Sequence, residues 1–231
     1  MLELYQFELS HYCEKVRLIL DYKGLEYRKI DVTPGLGQLD VFKLSGQRQV
    51  PVLKDGNQVI ADSTAIAKYL EHHYPDRPIL PTNPKQRGLC WLIESWADQS
   101  LGLNGRIALL NTISQDADFR TALLPTALPE SLKSLVGAVP SDVFKILGAG
   151  VGLTPEVIKA AHTALEQDLE ALCYLLLGEE HGYLVADHPT LADFAVAGMS
   201  LYFKIPEGPY LDLPPAIRGD GGTRFSGYRH L

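Results

Sequence analysis

Between residues 75 and 84 the chain reads PDRPILPTNP, with four prolines in ten positions. Each proline fixes its own φ, removes a backbone N–H and biases the preceding residue away from the helical region. Neither a helix nor a paired strand runs through such a stretch, so it reads as a linker between two regions of different character. Upstream, short β-prone runs alternate with amphipathic segments. Downstream, the apolar spacing is helical.

The upstream region divides as follows. LELYQF (2–7) is a short run of Leu and aromatics and predicts a strand. Residues 11–23 place Cys13, Val16, Ile19, Leu20 and Tyr22 near helical spacing, and Gly24 marks a stop. EYRKIDV (26–32) alternates as a strand does, and residues 33–49 hold one apolar turn around Leu39, Val41 and Phe42, a short irregular helix. VPVLK (50–54), DGN (55–57) and QVIA (58–61) form a hairpin pattern, and STAIAKYLEHHY (63–74) a helix. The order is β-α-β-α-β-β-α. Beyond the linker, helices are predicted over 85–101, over 154–177 from a Thr154 cap and Pro155, and over 189–203. In the last of these, Thr190 and Asp193 have the spacing of a capping box, flanked by Pro189 and Phe194 as a hydrophobic staple. The segment 122–153 is apolar but broken by Pro and Gly; it reads as a longer connection between two helices, or as a partly helical lid or an added dimer surface, and is expected to be buried. Residues 205–231 are rich in Pro and Gly and carry no convincing closing helix.

Composition narrows the function classes. A chain of 231 residues with 46% apolar residues builds one large domain or two small ones. Its net charge of −7 argues against a nucleic-acid partner. Residues 1–80 carry ten Lys/Arg against eleven Asp/Glu, and residues 81–231 eleven against seventeen, so the first region is the better host for a small anion. No window reaches about 18 uninterrupted apolar residues, so no membrane span is expected. MLELYQFELS lacks the basic and apolar parts of a signal peptide. Cys13, Cys90 and Cys173 are scattered and odd in number, which suits a reducing cytoplasm rather than a disulfide framework. The seven His show no metal-ligand spacing, and no metal is expected.

Three stretches carry chemistry, and each admits a structural explanation. In ELSHYCEKVRLIL (8–20), Ser10 caps a helix over a buried Cys13, or its hydroxyl bonds a ligand thiol that the helix N-terminus favours as thiolate. In QVPVL, Pro51 opens a strand in the trans form, or is a cis proline that turns the Val50 backbone toward an extended ligand. In ADST, Asp62 or Ser63 caps a helix, or the same N-terminus holds a ligand carboxylate while Asp62 holds an ammonium, as an α-amino acid end requires.

Taken in order, SHYCEKVRLIL, RQVPVLKDG, ADSTAIAKYL and PTLADFAV resemble the soluble glutathione transferase superfamily with a serine-type active site. The resemblance implies an α/β plus all-α fold. Residues 1–77 would be a thioredoxin-like, glutathione-binding domain and residues 86–231 an all-helical domain with a hydrophobic substrate site, joined by a linker at 78–85. It implies an enzyme of transferase type that joins the thiolate of glutathione, its co-substrate, to an electrophilic small molecule. By the same resemblance Ser10 is the catalytic position, and Gln49, Val50, Pro51, Asp62, Ser63 and Lys43 bind glutathione, with Gln38 as a weaker candidate. Tyr5, Tyr12 and Cys13 are alternatives or partners to Ser10. Thr190 and Asp193 match the family's folding cap. A cytoplasmic homodimer follows from the resemblance, with neither nucleic acid nor membrane as partner. Isomerase, dehalogenase and peroxidase chemistries of the superfamily, a thiol–disulfide reductase acting through Cys13, and a non-catalytic binding protein remain open alternatives.

Overall fold

The computed structural model describes residues 1–32, 37–122, 124, 129–140, 142–143, 152–178, 181–202, 206 and 210–211. The chain falls into two compact units, one of Met1–Gln99 with Tyr174–Leu201, the other of Ser100–Cys173 together with Tyr202.

The first unit begins with β1 (Leu2–Gln6), α1 (His11–Lys23), β2 (Tyr27–Asp31), α2 (Gln38–Ser45), β3 (Val52–Asp55), β4 (Gln58–Ala61) and α3 (Ser63–His73). This is the β-α-β-α-β-β-α order expected from the sequence. The strands form one mixed sheet in the order β2-β1-β3-β4. β1 runs parallel to β2 and antiparallel to β3, and β3 pairs antiparallel with β4. Register places Leu4 opposite Leu53 and Tyr5 opposite Val52. Because side chains alternate, these pairs face opposite sides of the sheet. Leu4 and Leu53 are fully buried. On the other side Val52 packs with Val32 and with Val41 of α2, joined by Tyr5, Leu44, Val50 and Ala61.

Two features hold the proline-rich segment against this unit. The Glu71 carboxylate accepts from the main-chain N–H groups of Ile79 at 3.0 Å and Leu80 at 3.1 Å. Lys23, itself buried, donates to Glu71 at 3.0 Å and to the Tyr74 carbonyl at 2.9 Å. A chain that cannot form its own ladder thus has its buried polar groups satisfied by side chains. Further on, Leu191 N donates to Ile79 O at 2.8 Å.

After the linker come α4 (Pro84–Trp96), a π-helical turn (Ala97–Leu101), α5 (Gly102–Gln115), α6 (Ala117–Ala122), α7 (Glu130–Ala138), α8 (Pro155–Leu177) and α9 (Leu191–Ser200). α5, α6 and α7 are not marked out in the sequence, the helix expected over 189–203 runs from Leu191 to Ser200, and the one expected over 85–101 differs in two ways. The helix starts inside the expected linker, because Asn83 Oδ1 caps it by accepting from Lys85 N at 2.9 Å and Gln86 N at 3.2 Å, and proline suits a first helical position. The single helix expected over 85–101 is interrupted by the π turn. The capping box of α9 is present: the Thr190 N–H donates to Asp193 Oδ2 at 2.7 Å, while Asp193 Oδ1 accepts from Leu184 N at 2.8 Å. α9 packs closely on α1, and a Cβ added to Gly198 would lie 2.9 Å from Lys15 N and 3.0 Å from His11 O. Tyr22 and Phe194 meet across the same contact with ring centroids 5.1 Å apart.

In the second unit Ser100 Oγ donates to Asp168 Oδ2 at 2.5 Å, stapling the start of this unit to α8. Arg120 of α6 donates to Ile113 O at 3.2 Å and Val139 O at 3.0 Å, fixing the ends of α5 and α7. Of the apolar segment 122–153, α7 is described as a helix, and most of the remainder lies outside the described residues, as does most of 205–231. Among the described residues no helix is long and apolar enough to cross a membrane.

Two substitutions test this packing. Gly198→Ala overfills the α1–α9 contact and is expected to lower stability by about 1–3 kcal/mol. Asp193→Ala strips the acceptor from two main-chain N–H groups and is expected to cost about 1–3 kcal/mol. Urea unfolding followed by circular dichroism measures both.

Candidate functional site

The first element of the site is the N-terminus of α1. The chain leaves β1 and turns, with Ser10 N donating to Phe7 O at 2.9 Å. Ser10 is extended and caps the helix, its Oγ accepting from Cys13 N at 3.3 Å. It is half-buried, whereas Cys13 is completely buried. Burial pushes the Cys13 thiol up to about 11, although hydrogen bonds to Ser10 and the Phe7 backbone pull the other way. At neutral pH Cys13 is therefore a protonated thiol in the core. The two tyrosines have structural tasks. Tyr12 spends its hydroxyl proton on the Asp98 carbonyl at 2.9 Å. Tyr5 packs among Val32, Val41 and Val52.

The second element lies before β3. The Val50–Pro51 peptide is cis. Pro51 is buried, Val50 half-buried and Gln49 exposed. Lys43 stands on the exposed side of α2, 3.2 Å from Asp40 of the same helix. Gln38 opens α2 and is exposed.

The third element is the N-terminus of α3. Asp62 has φ of 80°, a left-handed conformation that costs a non-glycine residue roughly 1–3 kcal/mol. Its exposed carboxylate caps the helix by accepting from Ala65 N at 2.9 Å. Ser63 follows and is only 3% exposed.

Beneath Ser63 lies a cluster that sequence reasoning did not find. Lys15 of α1 is 0% exposed. Its ammonium donates to Glu94 Oε1 at 2.7 Å and Asp98 Oδ2 at 2.8 Å, and reaches Thr64 Oγ1 at 3.4 Å and Ser63 Oγ at 3.5 Å. Thr64 Oγ1 in turn donates to Glu94 Oε1 at 2.5 Å. Burial pushes the Asp98 carboxyl above its ordinary range, and Lys15 offsets only part of that rise. Asp98 sits in the π-helical turn, a distortion frequent at functional sites. One signal was present in the sequence: Lys15 lies four residues from His11 and from Ile19, on a buried stripe of an amphipathic helix. Its carboxylate partners, 79 and 83 residues away, left none.

Lys15 ties the two helix starts together. Ser10 is five residues before it, about 7.5 Å along the α1 axis, and Ser63 is in hydrogen-bond contact with it. Two helix N-termini, each bearing a serine hydroxyl and the positive end of a helix dipole, thus occupy one neighbourhood. Helix N-termini of this kind favour anions. Asp62, beside Ser63, keeps an exposed carboxylate. Among the described residues no three His, Cys, Asp or Glu are grouped to hold a metal ion.

Residues 4–78 match the family model described as the glutathione S-transferase N-terminal domain. A glutathione S-transferase 1 of Dianthus caryophyllus is 37% identical over 117 residues, which cover 49% of this chain and 53% of that protein. A zeta-class glutathione S-transferase of Euphorbia esula is 33% identical over 117 residues, covering 49% and 52%. The chain spans about half the length of these curated relatives. Among solved structures, the β-etherase LigF of Sphingobium sp. strain SYK-6 superposes with a TM-score of 0.66 at 23% identity, over 97% of this chain and 92% of that one. A glutathione S-transferase of Methylobacterium radiotolerans, solved with glutathione sulfonate, gives 0.60 at 21% identity over 98% and 88%. These two likenesses show the fold: a thioredoxin-like first domain followed by a helical region. The first domain, residues 4–78, is thus of the glutathione S-transferase N-terminal type, and over about half of its length the chain is similar to proteins of that name.

Proposed function

We propose that the protein is a glutathione transferase of the serine type, which binds glutathione in an extended form across the first domain. The observation that carries this reading is the pairing of two serine-bearing helix N-termini, Ser10 on α1 and Ser63 on α3, through the buried Lys15. Asp62 takes the γ-glutamyl ammonium and Ser63 the neighbouring α-carboxylate. The Val50 main chain beside Pro51 pairs with the cysteinyl residue, Gln49 adds a side-chain contact, and Lys43 and Gln38 lie toward the glycyl carboxylate. Residues 1–77 form the glutathione-binding domain. Residues 86–231 supply the hydrophobic wall for the second substrate, and 78–85 join them. The protein acts as a cytoplasmic homodimer.

Ser10 donates its hydroxyl proton to the glutathione sulfur and so stabilises the thiolate, assisted by the α1 dipole. The thiolate attacks an electrophilic carbon and a C–S bond forms; an aryl halide loses its halide with the bonding pair, whereas at an isothiocyanate or activated double bond the displaced π pair takes up a proton from solvent. The substrate is a small, mostly hydrophobic electrophile held close to the sulfur, so that proximity supplies much of the rate. Cys13, buried and protonated, is no nucleophile at neutral pH. That disfavours the reductase alternative. Whether the carbon carries a halide, an isothiocyanate or an activated double bond is decided by assay, with a hydroperoxide and a maleyl substrate as the tests for peroxidase and isomerase chemistry.

Two measurements check the proposal. Ser10→Ala is expected to lower kcat/KM toward an aryl halide by about 10²–10³-fold and to move the pH profile toward the free-thiol value of about 8.5, while Cys13→Ala keeps activity within a few-fold. Loss with Cys13→Ala and retention with Ser10→Ala would reverse the assignment. In the folded protein iodoacetamide is expected to modify the exposed Cys173 and to leave Cys13 untouched until denaturant is added. Peptide mass mapping reads this directly, and rapid native labelling of Cys13 would contradict its place in the core.

A further inference from the structure

Two adjacent hydroxyls at the start of α3 are used differently. Thr64 commits its one proton to Glu94 Oε1 at 2.5 Å. Ser63 Oγ instead shares with Thr64 Oγ1 the third proton of the Lys15 ammonium, at 3.5 and 3.4 Å, and among the described residues its own proton finds no protein acceptor. A serine hydroxyl has one proton and two lone pairs. With an ammonium on the lone-pair side, the proton points away from Lys15. Ser63 is buried, so bulk water does not average that direction. A ligand carboxylate offers acceptors only and needs a donor so oriented.

Charge acts in the same sense. Glu94 and Asp98 lie within 2.7 and 2.8 Å of Lys15, and the three groups together carry one net negative charge when both acids are ionised. Without Lys15 they carry two, immediately behind the position proposed for the ligand carboxylate. Lys15 is 0% exposed, so it touches no ligand itself.

We propose that Lys15 is a positioning residue for carboxylate recognition, holding Ser63 Oγ as an acceptor so that the Ser63 proton faces the α-carboxylate of the bound γ-glutamyl group. This rests on the glutathione reading given above. It identifies the α-carboxylate as the group whose binding depends on the buried cation, and Glu94, Asp98 and Thr64 as the residues that hold that cation in place.

Calorimetric titration of the full chain tests it with two ligands: glutathione and 4-aminobutanoyl-cysteinylglycine, the same tripeptide without the α-carboxylate. Lys15→Met is expected to weaken glutathione by about tenfold or more and to change the carboxylate-free peptide by less than about twofold. In a Ser63→Ala background the effect of Lys15→Met on glutathione is expected to shrink to less than about threefold. Equal losses for both ligands, or unchanged glutathione affinity, would overturn the proposal. Wild-type protein that binds neither ligand would instead sink the glutathione reading, and the proposal with it. Lys15→Met leaves two carboxylates together in the interior. Lys15→Gln combined with Glu94→Gln removes one charge of each sign, and is expected to show the same discrimination between ligands. If neither variant folds, the Nζ resonance of Lys15 in ¹⁵N-lysine-labelled wild-type protein decides. A shift with glutathione and none with the carboxylate-free peptide supports the proposal, and the same response to both overturns it.

Discussion

Lys15 is fully buried, and a buried ammonium persists only where carboxylates and hydroxyls replace its hydration. That single requirement organises the first unit. Glu94 must come from α4 and Asp98 from the π turn, so the helix after the linker is drawn against the start of α3. Removing one partner of such a buried set typically costs about 3–5 kcal/mol, because the others are left unneutralised. The same helix carries three more buried charges, and each is handled alike. Glu14 and Arg17 pair at 2.5 Å, Arg17 also bonds Gln6, and Lys23 is ringed by Glu71 and main-chain carbonyls. α1 is thus held from every side by polar contacts that admit few alternatives, and Gly198 lets α9 close over it.

A helix fixed this firmly gives its N-terminus a fixed direction. Ser10 therefore points where α1 points, and Ser63 is set against the same helix through Lys15. The strain at Asp62 belongs to this arrangement. Its left-handed backbone turns the chain abruptly from β4 into α3, at the first turn of that helix with its free N–H groups. Preorganisation of this kind lets hydrogen bonds to a thiolate or carboxylate form without reordering the protein, which is where binding energy would otherwise be lost.

Much of this was legible in the sequence, and the limits have physical causes. The strand and helix order of the first domain could be read because its periodicities are strong and its stops chemically explicit: Gly24 after α1, Asp-Gly in the hairpin, and the prolines of the linker. The Thr190–Asp193 box was legible for the same reason, since capping is local chemistry at fixed spacing. The Lys15 cluster was not, because its members converge from three separated segments, and a lysine within an amphipathic helix is ordinarily solvated. The π turn at 97–101 was equally hidden. It follows from what the Asp98 carboxylate and carbonyl must reach, Lys15 and Tyr12, and not from any local propensity of ADQSL.

Cys13 and Ser10 divide what a Cys-x-x-Cys frame would otherwise combine. In such a frame the first position is the reactive one, exposed at a helix N-terminus that favours its thiolate. Here that position is a hydroxyl, which the helix dipole cannot ionise near neutrality but can orient as a donor. The second position keeps its sulfur in the core, where burial outweighs every hydrogen bond that would lower its pKa. The electrostatic field that would have activated a protein thiol therefore remains available, unspent, at the mouth of the helix. On the proposed reading it acts on a sulfur brought from outside, which would join the serine, the buried cysteine and the start of α3 in one site.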